Sequence, residues 1–583
     1  MQDKYTWAIE DIYQNINEWE KDYKKAEGMI DFSEFKGKLG KKDGFISLMK
    51  KQETVSRIIE KLSVYAMMLH DSDTQNSEYD GLMSMATTLS VKFSSASSFI
   101  TPELTSLDDS VLKGYIADKD LSEYDYFLSS ILREKPHILS ENEEKLLAES
   151  GEALSGFRDI FTKIDNADLP LESFKYKGET IPMSHGMFGV IMHSTDRALR
   201  KKYFKKYYGA YISLMNTISA TYTGSVKKDV FYAKAKKFPS ALNMALSSED
   251  VDSEVYYNLI RSVKKALPSL HRYMAAKKKI LGYDKMHMFD IYVPTTDNAE
   301  IKLEYDKAYD LVIEGLSPLG EEYGKLLKKA HDERWLSVYE TKGKRSGAYS
   351  VAVYDTHPYV LLNYQKTTHD VFTIAHEMGH SIHSYFSNKN QPYMKADYKI
   401  FVAEVASTVN EVLLIRYLLK KESDVKLKKY LLSYLLEMIR TTLFRQTQFA
   451  EFEEFAHGEI EKGEPLTKDK MCEKYLEINK EYYGKSVISD DEIKYEWARI
   501  PHFYRAFYVY KYATGIISAL AIADRILTEG EKAVSDYFKF LSSGNSDNPV
   551  NLLKIAGVNL TEQKPFESAF KTFDDALSEF IKL

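Results

Sequence analysis

Residues 367–380 read Thr367-Thr368-His369-Asp370-Val371-Phe372-Thr373-Ile374-Ala375-His376-Glu377-Met378-Gly379-His380. Thr367 with an acid three positions on is a capping-box variant that predicts a helix start, and the extended run 360–363 precedes it. Val371, Phe372, Ile374, Ala375, Met378, Ile382 and Phe386 supply the apolar surface of that helix. Two histidines at i and i+4 then lie about 40° apart around the axis and about 6 Å apart along it. That separation lets both imidazoles reach one tetrahedral metal ion, and the intervening Glu377 adjoins the metal and can take a proton from water there. Gly379 costs about 1 kcal/mol of helix propensity relative to Ala, and its missing side chain lets another helix or a ligand approach closely.

The predicted helix carries four histidines on nearly one stripe: His369, His376, His380 and His383. The ordinary reading of each is a satisfied, partly buried imidazole, and it stands for His369 and His383. For His376 and His380 the interposed Glu377 reverses it, because a buried carboxylate beside two imidazoles is costly unless a cation is present. Catalytic zinc takes three protein ligands and leaves the fourth position to water, so a third ligand is missing. His383 is too near His380 for the H-E-x-x-H-x-x-G-x-x-H pattern. Residues 400–411 read as a second helix, apolar except for Glu404 and Glu411. Seven residues are two turns, so both acids point the same way, and periodicity alone does not choose between them.

The rest of the chain sets the frame. At 583 residues it exceeds the size at which one hydrophobic core stops growing, so two or more lobes are expected. Helical periodicity runs through 10–30, 45–70, 76–100 and 120–165, and only 14 prolines and 27 glycines interrupt it, which predicts a mainly α fold. Strand-like chemistry is confined to a hairpin over 174–181 and to 347–354 followed by 359–363. The hairpin interrupts the helices, and it places the expected division at an N-terminal helical lobe, 1–190, and a catalytic lobe, 191–583.

The net charge of −7 is spread over well-mixed acids and bases, and nothing in it suggests a nucleic-acid footprint; Lys277-Lys278-Lys279 reads as a solvated helix face. The single cysteine, Cys472, excludes an intramolecular disulfide and a cysteine-based zinc cluster, and fits a reducing compartment. The start, Met1-Gln2-Asp3-Lys4-Tyr5, is polar and lacks an apolar signal core, and the most apolar stretch, 515–523, is too short to span a membrane. A cytoplasmic protein without membrane contact is expected.

Several blocks resemble the thimet-oligopeptidase family of zinc peptidases, and closely its oligoendopeptidase F branch. They are Tyr5-Thr6-Trp7-Ala8-Ile9-Glu10-Asp11-Ile12-Tyr13, Phe231-Tyr232-Ala233-Lys234-Ala235, Phe238-Pro239-Ser240-Ala241-Leu242 and Leu270-His271-Arg272-Tyr273. Most specific are Lys344-Arg345-Ser346-Gly347-Ala348-Tyr349, the histidine motif, and Phe401-Val402-Ala403-Glu404-Val405-Ala406-Ser407. The resemblance implies a two-lobed, mainly helical, zincin-like metallopeptidase enclosing a deep substrate channel, with a small β element near the active site. It implies one zinc ion on His376, His380 and Glu404, and it leaves Glu411 to orient a ligand histidine.

The resemblance also gives a role to the aromatic run 500–512. In the family a His and tyrosines from this region stand over the zinc, which makes His502 and Tyr510 candidate catalytic donors and Tyr504 and Tyr508 candidate substrate contacts. Phe503, Phe507 and Tyr512 keep an ordinary core reading. Gly347, Ala348 and Tyr349 look like the edge strand that pairs with substrate backbone. The implied activity is hydrolysis of internal bonds in short unstructured oligopeptides, with Glu377 as general base. Two alternatives are a dipeptidyl carboxypeptidase mode and a non-catalytic, zinc-stabilised peptide-binding scaffold. Structural zinc usually has four closed ligands, often Cys, so the lone Cys472 and the intact Glu377 argue against the scaffold.

Overall fold

Helices start where the sequence supplies caps. Asn15 accepts from Glu18 N–H ahead of Ile16–Met29, Asn76 from Glu78 N–H ahead of Ser77–Ser97, and Asp252 from Glu254 N–H ahead of Ser253–Ile280. The structure, a computed structural model, describes residues 3–296 and 301–583; Met1 and Gln2 of the polar start lie outside the described residues. The stretch 120–165 contains two main helices, Asp125–Glu134 and Glu141–Lys163, parted by a turn over Lys135–His137. Pro136 sits in that turn, where it lacks the N–H that a continuing helix needs. Among the described residues, no helix is long and apolar enough to cross a membrane.

The chain divides into two compact units, each built from three separate segments. The first comprises Met1–Pro136, Glu300–Tyr417 and Ile522–Val558; the second comprises His137–Ala299, Leu418–Ala521 and Asn559–Leu583. These are not the expected 1–190 and 191–583 lobes. The hairpin that suggested that boundary lies inside the second unit. Two of the crossings fall within the helices Ile400–Lys421 and Tyr510–Glu529, so no loop or linker marks them in the sequence.

In the first unit the 31-residue helix Lys42–Ser72 runs through the core, burying Phe45, Leu48, Val55, Leu62 and Met68. Trp19 is fully buried against it and donates its indole N–H to Leu62 C=O at 2.9 Å. Beside this helical core lies a three-stranded sheet. Tyr349–Val351 and Tyr359–Leu361 lie in the two stretches expected to be strand-like and pair antiparallel, and Leu336–Ser337 adds a short parallel strand on the other side. The central strand is buried throughout, which suits an unbroken apolar triplet; Tyr349–Val351 is at the edge.

In the second unit the expected hairpin pairs Phe174–Tyr176 with Glu179–Ile181. Lys177 and Gly178 both take positive φ (49° and 90°), the backbone of a two-residue type I′ turn. The core of this unit is strongly aromatic, with Tyr203, Tyr208, Tyr222, Tyr256, Trp497 and Phe503 buried. A second short pairing, Met286–His287 with Val487–Ile488, is parallel and too brief to leave an alternating pattern.

Candidate metal centre

The histidine helix spans Thr368–Asn390 and starts as its cap predicts: Thr367 Oγ1 accepts from Asp370 N–H at 3.2 Å, and Asp370 Oδ2 accepts from Thr367 N–H at 2.9 Å. Its seven predicted apolar positions are all buried. The helix Ile400–Lys421 packs across it at Gly379. A Cβ at that glycine would come within 2.5 Å of Ser407 Cα and 2.7 Å of Ala406 C=O, which are backbone atoms with nowhere to go. Asn410, fully buried, ties the same pair: its Nδ2 donates to Ala375 C=O at 2.9 Å, and its Oδ1 accepts from Tyr323 OH at 2.8 Å. Sequence reading passed over Asn410. An amide within so apolar a helix was the available signal.

Gly379→Ala therefore forces the helices apart and is expected to cost about 1–3 kcal/mol through overpacking, against about 1 kcal/mol gained in helix propensity. Thermal melts should show a lower Tm, and metal titration a weaker site, because Glu404 moves with its helix.

That contact brings three donors together. His376 Nε2 and His380 Nε2 are 3.2 Å apart, and Glu404 Oε2 lies 3.4 Å from the first and 3.6 Å from the second. Two ligands on a tetrahedral ion with bonds of about 2.0–2.1 Å stand about 3.3–3.4 Å apart, so the set fits such an ion as it stands. Among the described residues this is the group of three His, Cys, Asp or Glu donors close enough to share a metal. The side chains are 28%, 18% and 46% exposed for His376, His380 and Glu404, which leaves the centre open on the Glu404 side. Glu404 Oε2 also accepts from Ser407 Oγ at 3.2 Å, which orients the carboxylate.

Glu411 pairs with Nδ1 of His376 through a short hydrogen bond. A carboxylate on Nδ1 fixes that nitrogen as the donor and turns the Nε2 lone pair towards the other two donors. Glu404 thus joins the three-donor group, whereas Glu411 meets His376 at Nδ1. Burial pulls the His376 imidazolium down, but Glu404 and Glu411 outweigh it and raise its pKa to about 10. Burial pushes Glu404 up, yet the two imidazoles hold its carboxyl well below the usual range. Without a cation these carboxylates favour the protonated form of His376, and a bound cation would displace that proton. Glu377 is 7% exposed; burial raises its pKa, with His376 and His380 pulling the other way.

His383 is not part of the group. It is fully buried, stacked on Tyr398 at 3.7 Å, and burial drives its pKa down to about 3, so it is a neutral core imidazole. His369 is likewise outside the three-donor group. Of the candidate strand residues, Tyr349 begins the edge strand, and Gly347 takes φ +89°, a left-handed conformation that favours glycine. Ala348 lies between them. Ser350 Oγ meets Ser381 Oγ at 2.8 Å, which ties this strand to the histidine helix.

The aromatic candidates belong to the second unit. His502 and Tyr504 lie in the short helix Pro501–Tyr504, and Tyr510 opens the helix Tyr510–Glu529. The His502 ring stacks parallel to Tyr508 with centroids 6.1 Å apart, and burial followed by Arg505 lowers its pKa. Tyr504 stacks on Phe161 at 4.4 Å and Tyr510 is fully buried.

Comparison with known proteins places this architecture. The profile of Peptidase family M3 matches residues 190–572, and that of Oligopeptidase F matches 103–170. The chain belongs to peptidase family M3, in its oligopeptidase F branch, and is a peptide hydrolase of the metallo-oligopeptidase class. It is 43% identical to Oligopeptidase PepF of Bacillus subtilis over 99% of this chain and 87% of the relative. It is 39% identical to Group B oligopeptidase PepB of Streptococcus agalactiae over 100% of this chain and 98% of that one. The crystal structure of oligoendopeptidase-F from Enterococcus faecium superposes with a TM-score of 0.73 at 35% identity, covering 97% of this chain and 98% of that one.

Proposed function

We propose that this peptidase is a zinc-dependent oligoendopeptidase that hydrolyses internal bonds of short, unstructured peptides, with one zinc ion on His376, His380 and Glu404. The observation that carries this reading is the spacing of those three donor atoms, 3.2 to 3.6 Å, with Glu377 buried on the same helix. Zinc in such a site supplies Lewis acidity towards water and towards the scissile carbonyl. Glu377 accepts the proton of the attacking water and delivers it to the departing amine. Its raised pKa suits both halves of that exchange. Glu411 holds the His376 ring in the ligating tautomer.

The reading assigns His502 and Tyr510 to donate to the carbonyl oxygen as negative charge develops, and Tyr504 and Tyr508 to contact the peptide. It assigns Gly347, Ala348 and Tyr349 to pair with substrate backbone. Its basis for the strand is the unpaired edge of Tyr349–Val351. Its basis for the aromatic residues is family resemblance alone. A cytoplasmic setting is part of the same proposal, and the lone Cys472 lends it support.

The test is metal analysis together with product mapping on a long internally quenched peptide. The purified protein should carry about one zinc per chain, lose activity to a chelator and regain it with zinc. Products should arise from internal cleavage. Stepwise release of dipeptides from the carboxyl end would replace the endopeptidase reading with the dipeptidyl carboxypeptidase one, and a metal-free active protein would overturn the mechanism.

A further inference from the structure

The loop 343–349, which leads into the edge strand, is fastened to the end of the Lys42–Ser72 helix. Asp71, only 1% exposed, makes three of the fastenings. Its Oδ2 accepts from Tyr349 OH at 2.9 Å and from Arg345 Nη1 at 3.2 Å, and its backbone C=O accepts from Arg345 N–H at 2.9 Å. Next along, Thr74 donates both its N–H and its Oγ1 to Gly343 C=O at 2.8 Å. Gly343 has φ +85°, a left-handed backbone, and a Cβ there would run into the Asp73 side chain, so the approach of loop to helix favours a glycine. Asn363 Nδ2 adds bonds to Arg345 C=O at 3.0 Å and to Gly347 C=O at 2.8 Å.

Strand pairing is sensitive to such fastening. A peptide added to a sheet edge gains its affinity from a row of main-chain hydrogen bonds, and each requires the edge to be held in register before the peptide arrives. The edge strand is only three residues long and has one partner among the described residues, so it has little of its own to hold it. A buried carboxylate that takes two side-chain donors from the loop, one of them the first residue of the strand, supplies the missing constraint. Asp71 is far from the donor group in sequence and is not among the donors.

We propose that Asp71 is a positioning residue for substrate: it holds Arg345 and Tyr349 so that the edge of Tyr349–Val351 is preorganised to pair with an extended peptide. This rests on the reading of that strand as the substrate-pairing edge. The consequence is specificity for length. Peptides long enough to run along the strand depend on Asp71, and peptides too short to reach it do not.

The experiment measures KM and kcat of wild type, Asp71→Ala, Asp71→Asn and Glu377→Gln on a long internally quenched peptide and on a tripeptide reporter, with zinc content and Tm for each. Asp71→Ala should raise KM for the long peptide by about tenfold to a hundredfold, with kcat and the tripeptide kinetics little changed. Asp71→Asn, which keeps a carbonyl oxygen for the Tyr349 and Arg345 donors, should recover most of the loss. A purely structural role would lower kcat equally on both substrates with KM unchanged, and that result overturns the proposal. If Asp71→Ala does not fold, Asp71→Ser, which keeps a polar group too short to take both donors, replaces it: a KM raised on the long peptide alone supports the proposal, and an unchanged KM or a kcat lowered on both substrates overturns it. Failure of the catalytic assignment reads out separately, as a Glu377→Gln protein that retains full activity.

Discussion

Glu377→Gln is expected to lower kcat by about 10²–10⁴-fold while the metal stays bound. Glutamine matches glutamate in size and keeps one carbonyl oxygen, so the buried pocket, with Glu377 only 7% exposed, remains filled. What disappears is the capacity to accept a proton from water and hand it on. Removing the carboxylate also relieves the site of a charge that burial disfavours, so stability should hold or rise slightly. The measurement is single-turnover hydrolysis by metal-loaded protein, with metal quantified in the same sample. Activity within about tenfold of wild type, metal present, would falsify the assignment of Glu377 as base.

Loss of a ligand is expected to act differently. His380→Ala should weaken metal affinity by more than about a hundredfold, and activity at limiting zinc should fall with it. A catalytic ion left with two of its three protein ligands is held weakly and dissociates readily into solvent. Glu411→Ala provides the graded comparison. Glu411 touches His376 rather than the ion position, and loss of such a partner costs about 10–100-fold in metal affinity. Competition titrations with a chromogenic chelator should rank wild type, Glu411→Ala and His380→Ala in that order. Added zinc should restore Glu411→Ala first. Equal affinities for all three would remove the donor group as the metal centre.

Much of this centre was legible because it is local. The capping box, the apolar stripe and the i, i+4 histidines all lie within one helix, where spacing along the chain fixes spacing in space. Glu404 and Glu411 were also visible, as acids in an apolar helix, but choosing between them needed to know which side of His376 each one meets. That depends on how two helices cross, and the crossing is set by Gly379 against Ser407, a contact that either residue alone does not announce. The unit boundary failed for a related reason. The chain passes between units within Ile400–Lys421 and Tyr510–Glu529, and helical periodicity continues undisturbed across both points. The strand Leu336–Ser337 escaped notice because two residues carry no alternation. Asp71 escaped because its importance comes from Arg345 and Tyr349, more than 250 positions away.

The contact at Gly379 has one more outcome. The two ligand-bearing helices are fixed to each other by backbone touching backbone and by the Asn410 amide, and none of these bonds involves the ion. In zinc fingers, by contrast, the metal supplies the folding energy and its removal unfolds the chain. On the proposed reading, chelator-treated protein should therefore keep its helical circular-dichroism signal and its Tm within a few degrees, and should accept cobalt as a spectroscopic ion in place of zinc.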